Sequence, residues 1–257
     1  MTAPRRGVLV TGASRGIGRA TALRFAARGD RIAVHFAHDR RSAEATLALL
    51  PGAGHAVVQA DLADPDAARS LVDEAISAVG DIDVLVNNAA VGPDDGNMHR
   101  PDAATFEEWS AAWQRMVQVN LLGAANTSWA FAQHLIARGA PGAIVNVGSR
   151  GAFRGEPDHP AYGATKAAVH AMGQSLAIAL APHGVAVTSV APGFISTDRQ
   201  QGKLAGAGGQ ALRDQSPFGR VGTPEDVAAA IVHLASAEAH WSSGAVLDIN
   251  GASYLRT

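Results

Sequence analysis

Cysteine is absent from the 257-residue sequence, which removes disulfides, thiolate metal sites and cysteine nucleophiles together. Lysine is almost as scarce, with only Lys166 and Lys203 present, so the basic charge rests on arginine. Charged residues make up just 17%, and 21 basic side chains stand against 23 acidic ones for a formal charge of −2. No field of one sign therefore draws the chain to nucleic acid or to an anionic membrane. Long apolar runs are missing too: no window approaches the ~18 residues of a membrane span. The opening MTAPRRGVLVTG reads as the entry to a strand rather than as a signal peptide. These absences predict a cytoplasmic chain without membrane or nucleic-acid partners.

What is present is apolar material, 47% of the residues, in a chain of a length that α/β folds commonly form as one domain. β-rich runs recur at 7–10, 32–36, 56–59, 83–86, 143–147, 185–190 and 245–249. Between them lie alanine-rich stretches with helical spacing at 17–28, 42–50, 65–79, 105–138, 162–181 and 224–237. Asp64 before Pro65 and Thr223 before Pro224 read as helix caps ahead of a first-turn proline. Continuous apolar strands alternating with helices imply a doubly wound α/β domain. Its sheet should be mainly parallel, about seven-stranded and covered on both faces. Ligands of such sheets sit at the strands' carboxyl ends. Four glycines within 199–213 (RQQGKLAGAGGQALR) mark that stretch as weakly structured.

Three groups of residues carry chemistry. The first strand ends in TGASRGIG, placing Gly12, Gly16 and Gly18 between a strand and a helix, the context in which a backbone can turn tightly and present helix amides to a phosphate. Tyr162 and Lys166, in YGATK, would share one face of a helix. Tyrosine alone is a poor acid or base near neutrality, with a reference pKa of about 10, and a nearby cation favours its phenolate. With two tyrosines and two lysines in the whole chain, roughly 0.016 YxxxK matches are expected by chance. Ser149 ends the run AIVNV thirteen residues earlier, where its hydroxyl could donate to an oxygen that gains negative charge.

The glycine spacing, the YxxxK pair and the placement of Ser149 resemble the classical short-chain dehydrogenase/reductase family, with its TGxxxGxG loop. Matching motifs run in family order along the whole chain: Asn120 in VNLLG, NNAA at 87–90 for NNAG, PGFIST at 192–197 and SSGAVLDINGAS near the end. The resemblance implies a single dinucleotide-binding catalytic domain over 1–257, with a mobile substrate lid at about 197–220. It implies a catalytic set of Asn120, Ser149, Tyr162 and Lys166. Cofactor contacts would come from Gly12, Ser14, Arg15, Gly16, Ile17, Gly18, Arg40, Asp61, Leu62, Asn88, Ala89, Tyr162, Lys166, Pro192, Gly193, Ile195 and Thr197. Asp61 reads equally well as a helix cap. Ala90 and Ala252 replace the family's usual glycines, and Ala90 should impose a small local adjustment.

On this resemblance the chain moves a hydride between a nicotinamide and a ketone or secondary alcohol. NADP(H) is expected over NAD(H), because no carboxylate falls at the end of the second strand near Phe36. Arg15, Arg40 and Arg41 can instead meet a 2′-phosphate. Asp39 is the residue that would reverse this choice by swinging inward. A 3-oxoacyl thioester or related β-keto compound is the leading substrate class, with a sugar or polyol as the alternative, and a homotetramer the expected assembly, with a dimer behind it. Two other function classes stay open. VGSRG around Ser149 matches the GxSxG of serine hydrolases, although RGAFRGEPDHP follows it where a helix should begin. A non-catalytic dinucleotide sensor would normally carry a damaged catalytic set. None of the ten histidines forms HExxH or a tight pair with carboxylates, so His35, His38 and His159 are read as bystanders and no metal is expected.

Overall fold

The computed structural model describes residues 5–256, with Arg199 described by its backbone alone. Residues 1–4 of the amino-terminal stretch lie outside the described residues. The first half builds three strand–helix units: β1 (Gly7–Val10), α1 (Gly16–Ala26), β2 (Arg31–Phe36), α2 (Arg40–Leu49), β3 (Ala56–Gln59) and α3 (Pro65–Val79). β4 (Val84–Asn87) leads to α4 (Phe106–Met116) and α5 (Ala124–Arg138), and β5 (Gly142–Val147) to the one-turn α6 (Gly151–Arg154) and the long α7 (Pro160–Leu180). β6 (Val185–Pro192), the short α8 (Gln201–Ala205) and α9 (Gly209–Arg213), α10 (Pro224–Leu234) and β7 (Val246–Ile249) complete the chain.

The seven strands form one sheet in the order β3-β2-β1-β4-β5-β6-β7. Every pairing in it is parallel. Side chains of a strand alternate between faces, and this alternation sorts the core into two layers. Val8, Val10 and Val34 pack with Phe25 of α1 and Ile231 and Val232 of α10. Leu9 points the other way, toward the layer holding Leu71 of α3, Phe131 and Leu135 of α5 and Leu180 of α7. A fully buried Phe25 or Phe131 contributes about 1.5–3 kcal/mol of transfer free energy. The edge strands are less enclosed than continuous apolar runs suggest, with β7 only partly buried and Gln59 of β3 exposed.

The caps form as the sequence indicates: Asp64 accepts from the Asp66 and Ala67 amides, and Thr223 and Asp226 make a reciprocal capping box. One element differs. The stretch 105–138, read as a single helix, is broken between α4 and α5 by a π-helical segment, Val117–Gly123. Gly123 sits against Leu62, where a Cβ would come within 2.8 Å of the Leu62 Cβ, so the chain can pass close to the sheet there. The glycine-rich stretch is also more ordered than its composition suggests, since α8 and α9 fold back on one another with Arg213 Nη1 donating to Leu204 O at 3.3 Å. Ala252, at φ +58, is the one described non-glycine residue with a left-handed backbone, whereas Ala90 takes an ordinary φ. The strain of losing a family glycine thus falls at 252 and not at 90.

Because β1 and β4 are neighbours while their connections leave in opposite directions, a crevice opens at their carboxyl ends. No described helix is long and apolar enough to cross a membrane.

Candidate active site

The crevice encloses about 680 Å³, and the glycine loop forms its floor. Gly12 and Gly16 have φ of +63° and +54°, a region closed to most side chains. Gly18 lies so close to the Gly12 carbonyl that a Cβ there would overlap it. The loop is fastened from both sides. Thr11 Oγ1 donates to Val86 O and accepts from the Asn88 and Ala89 amides, and Asn88 Nδ2 donates to the Thr11 and Gly12 carbonyls at 2.8 and 3.1 Å. On the other side the Gly12 N–H donates to His35 Nδ1 at 3.0 Å, while His35 Nε2–H donates to Ala60 O at 3.0 Å. Burial pushes His35 down to about 4, so it is a neutral strut, which its isolated position in the sequence did not reveal.

This cradle fits the pyrophosphate of a dinucleotide. α1 has no acidic residue in its first turn and no side-chain cap, so its amides and dipole face the crevice without a competing carboxylate. Gly12, Ser14, Arg15, Gly16, Ile17 and Gly18 all line it, as do Leu62, Asn88, Ala89, Pro192, Gly193, Ile195 and Thr197. Asp61 lines it as well while accepting from the Ala63 N–H and approaching Arg115 at 3.6 Å, so it is both turn former and cleft residue. The Ala63 amide and the Arg115 charge hold its carboxyl below the usual carboxylate range. Arg40 is placed elsewhere. Its guanidinium lies 5.2 Å from the Phe36 ring centroid and bonds Gln59, outside the lining residues. Asp39 does line the crevice, but its carboxylate caps α2, accepting from Ser42 N and Oγ at 3.0 and 2.7 Å.

At the far end of the crevice, α7 presents Tyr162 and Lys166 on one face, with Lys166 Nζ 5.8 Å from the Tyr162 ring centroid. Lys166 is buried and donates to Val147 O at 2.7 Å. Burial alone pushes its ammonium down to about 8. Ser149 sits across from them and accepts from the Gly151 N–H at 3.0 Å, which leaves its own proton to donate. No described histidine bonds the Ser149 hydroxyl, so the acid–base relay of a serine hydrolase is absent there. Asn120 does not line the crevice. It lies buried in the π-helical segment, where its amide clamps Val91 in both directions (2.7 and 3.1 Å) and reaches Thr165 Oγ1 at 3.3 Å. α7 is anchored at its start by His99, whose Nε2 accepts the Ala161 N–H at 3.0 Å.

Several residues to which the sequence alone assigned no contact also line the crevice: Phe36, Arg115, Arg150, Arg154, Phe194 and Gln215. Phe194 lies within PGFIST and Arg150 within VGSRG, but neither motif singles out its side chain, and the others belong to no motif. Only the proximity of Arg150 to Ser149 could have drawn attention to it.

Comparison with known proteins agrees with this geometry. A family model described as Enoyl-(Acyl carrier protein) reductase matches residues 12–252. The chain is 38% identical over 251 residues to L-rhamnose 1-dehydrogenase (NAD(P)(+)) of Sphingomonas sp., covering 96% of each. It is 34% identical over 252 residues to the 3-oxoacyl-[acyl-carrier-protein] reductase FabG of Staphylococcus aureus, covering 97% of this chain and 98% of that one. Among solved structures it is similar to the promiscuous reductase LugOII, which catalyses keto-reduction at C1 during lugdunomycin biosynthesis. The TM-score is 0.86 at 32% identity, over 97% and 98% of the two chains. With the glycine cradle, the buried Lys166 beside Tyr162 and Ser149 opposite them on one crevice, the chain belongs to the short-chain dehydrogenase/reductase family in its classical form.

Proposed function

We propose that the protein is an NADP(H)-preferring oxidoreductase that interconverts a small polar ketone and its secondary alcohol. The observation that carries this reading is the convergence of Ser149, Tyr162 and Lys166 at the end of the crevice opposite the phosphate cradle. When bound, the reduced nicotinamide supplies the hydride that the carbonyl carbon accepts. Ser149 donates to the carbonyl oxygen and stabilises the charge that develops on it. Tyr162 gives its phenolic proton to that oxygen, and the alcohol results. Lys166, still cationic at pH 7 with its value near 8, favours the phenolate that remains. Asn120 acts one step back, holding Val91 and Thr165 so that the crevice wall and α7 keep their spacing.

For the cofactor, Arg15 supports NADP(H): it is exposed at the rim of the cradle, and the nearest carboxylate, Asp39, is committed to Ser42. Arg15→Ala is expected to raise the KM for NADPH about tenfold or more while changing that for NADH little, as steady-state kinetics with both cofactors will show. A higher kcat/KM with NADH than with NADPH in the unaltered enzyme overturns the preference.

A 3-oxoacyl thioester remains a candidate substrate by family likeness. The crevice beyond Tyr162 favours the sugar or polyol reading, since Arg150, Arg154, Glu156, Asp158 and Gln215 line it and such groups serve hydroxyls and charges better than a long acyl chain. We take α8 and α9, within 197–220, to be a lid that closes over this end. The setting is cytoplasmic in this reading. Assembly into a homotetramer is supported by exposed large apolar side chains on two sides of the fold, Trp129 and Ile178 on the packed helices α5 and α7, and Trp241 and Leu247 on and just before β7.

A further inference from the structure

Arg150 follows Ser149 directly and is only 7% exposed, yet no carboxylate lies within ion-pair distance of it among the described residues. Its partners are neutral. Nη1 donates to Ser253 Oγ at 2.5 Å, and Nη2 to Gln215 Oε1 at 2.5 Å. A guanidinium carries five N–H donors, so three remain without an acceptor among the described residues. The nearest charges are Arg154, which opposes it, and Glu156, while desolvation is the largest influence, and together these hold the guanidinium below its ordinary value. A cation this little exposed and without an ion-pair partner is costly to maintain, and its unused donors open onto the cavities around it, where a ligand can supply the anion.

Its position says what that is. Arg150 forms the wall between the catalytic crevice and a second cavity of about 270 Å³, and Phe194, Leu212 and Gln215 line both spaces. The backbone is fixed, with Arg150 N donating to Pro192 O at 3.0 Å, so the guanidinium swings from a rigid point beside the reacting centre. Gln215, beyond α9, and Ser253, beyond β7, hold its two terminal nitrogens and so orient the fork without neutralising it. A planar fork of that kind matches a carboxylate, which accepts two parallel N–H bonds. Lysine could not present the same pair of donors.

We propose that Arg150 is the substrate-recognition residue of this enzyme and that it takes a carboxylate carried a few bonds from the reacting carbonyl, making the preferred substrates oxo acids and the corresponding hydroxy acids. This rests on the reading of the crevice as a carbonyl-reducing site and narrows its substrate class. It also gives the lid a signal for closure, because Gln215 would feel the ligand through the shared guanidinium.

The test is calorimetric, so that it does not depend on turnover. The full-length enzyme, with saturating NADP⁺, is titrated with 3-oxobutanoate, 4-oxopentanoate and 5-oxohexanoate and with the methyl ester of each. At least one acid is expected to bind tenfold or more tighter than its ester. In Arg150→Gln that ratio should fall to near one, and in Arg150→Lys to an intermediate value. Esters that bind as well as their acids, or an acid preference that survives Arg150→Gln, overturn the proposal. A strong acid preference without any NADPH-dependent reduction of the same compounds would instead count against the reductase reading and leave the anion site standing.

Discussion

His35 illustrates how a single buried side chain couples protonation to the cofactor cradle. Its Nδ1 must accept from Gly12 while Nε2–H donates to Ala60, so a second proton would remove the acceptor on which the glycine loop hangs. Burial lowers its value from 6.5 to about 4. Between those limits the unfolded chain binds a proton that the folded chain refuses, so stability rises with pH across the window and is lost as pH falls from 6.5 toward 4. The effect is on the order of 3 kcal/mol over the window. Thermal melts of the wild type and of His35→Asn, whose Oδ1 can still accept from Gly12 in place of Nδ1 but which cannot charge, should diverge in slope between pH 7 and 4.5, with the variant flatter. Parallel slopes would mean that His35 does not carry this dependence. At the same scale the sequence was legible only where a motif named the residue. Tyr162, Lys166 and Ser149 announced themselves by spacing, whereas His35, Arg150 and Gln215 owe their roles to strands and loops that meet only in three dimensions.

At the scale of elements, the strand runs and the caps at Asp64 and Thr223 were readable because hydrophobic period and first-turn proline are local signals. The π-helical segment at 117–123 was not, since an α-helix and a helix with one wide turn share nearly the same apolar spacing. The misfit of Asn120 was its only local trace. That segment places the Asn120 amide against Val91, and Asn120→Ala removes the clamp without touching the cradle. We expect kcat to fall by about ten- to a hundredfold, the range that slight misplacement of a catalytic group produces, with NADP⁺ affinity nearly unchanged in a fluorescence titration. An unaltered kcat would show that the wall holds its place without Asn120. Sequence places Arg40 just past β2, and only the fold shows that the opening of α2 lays its side chain on Phe36 and Gln59.

For the molecule as a whole, alternation of strands and helices was enough to indicate a parallel sheet with its site at the carboxyl ends, because right-handed crossovers leave few other topologies. The glycine-rich run at 199–213 was legible but not the two short helices, α8 and α9, that it forms, and which large apolar side chains face outward required the finished surface. Those side chains carry a prediction about the whole: light scattering at micromolar concentration should return four times the monomer mass, and Trp129→Glu should reduce it to a dimer by spoiling one of two interfaces. A monomeric wild type contradicts that assembly.

With Tyr162 proposed as the proton donor for hydride transfer, the most direct measurement is the rate of NADPH oxidation at 340 nm across a panel of polar ketones by the wild type and by Tyr162→Phe. The substitution keeps the ring that packs beside Lys166 and removes only the hydroxyl. The predicted result is a fall in kcat of several orders of magnitude with NADPH binding preserved, and a variant that turns over at near-normal rate would contradict the mechanism.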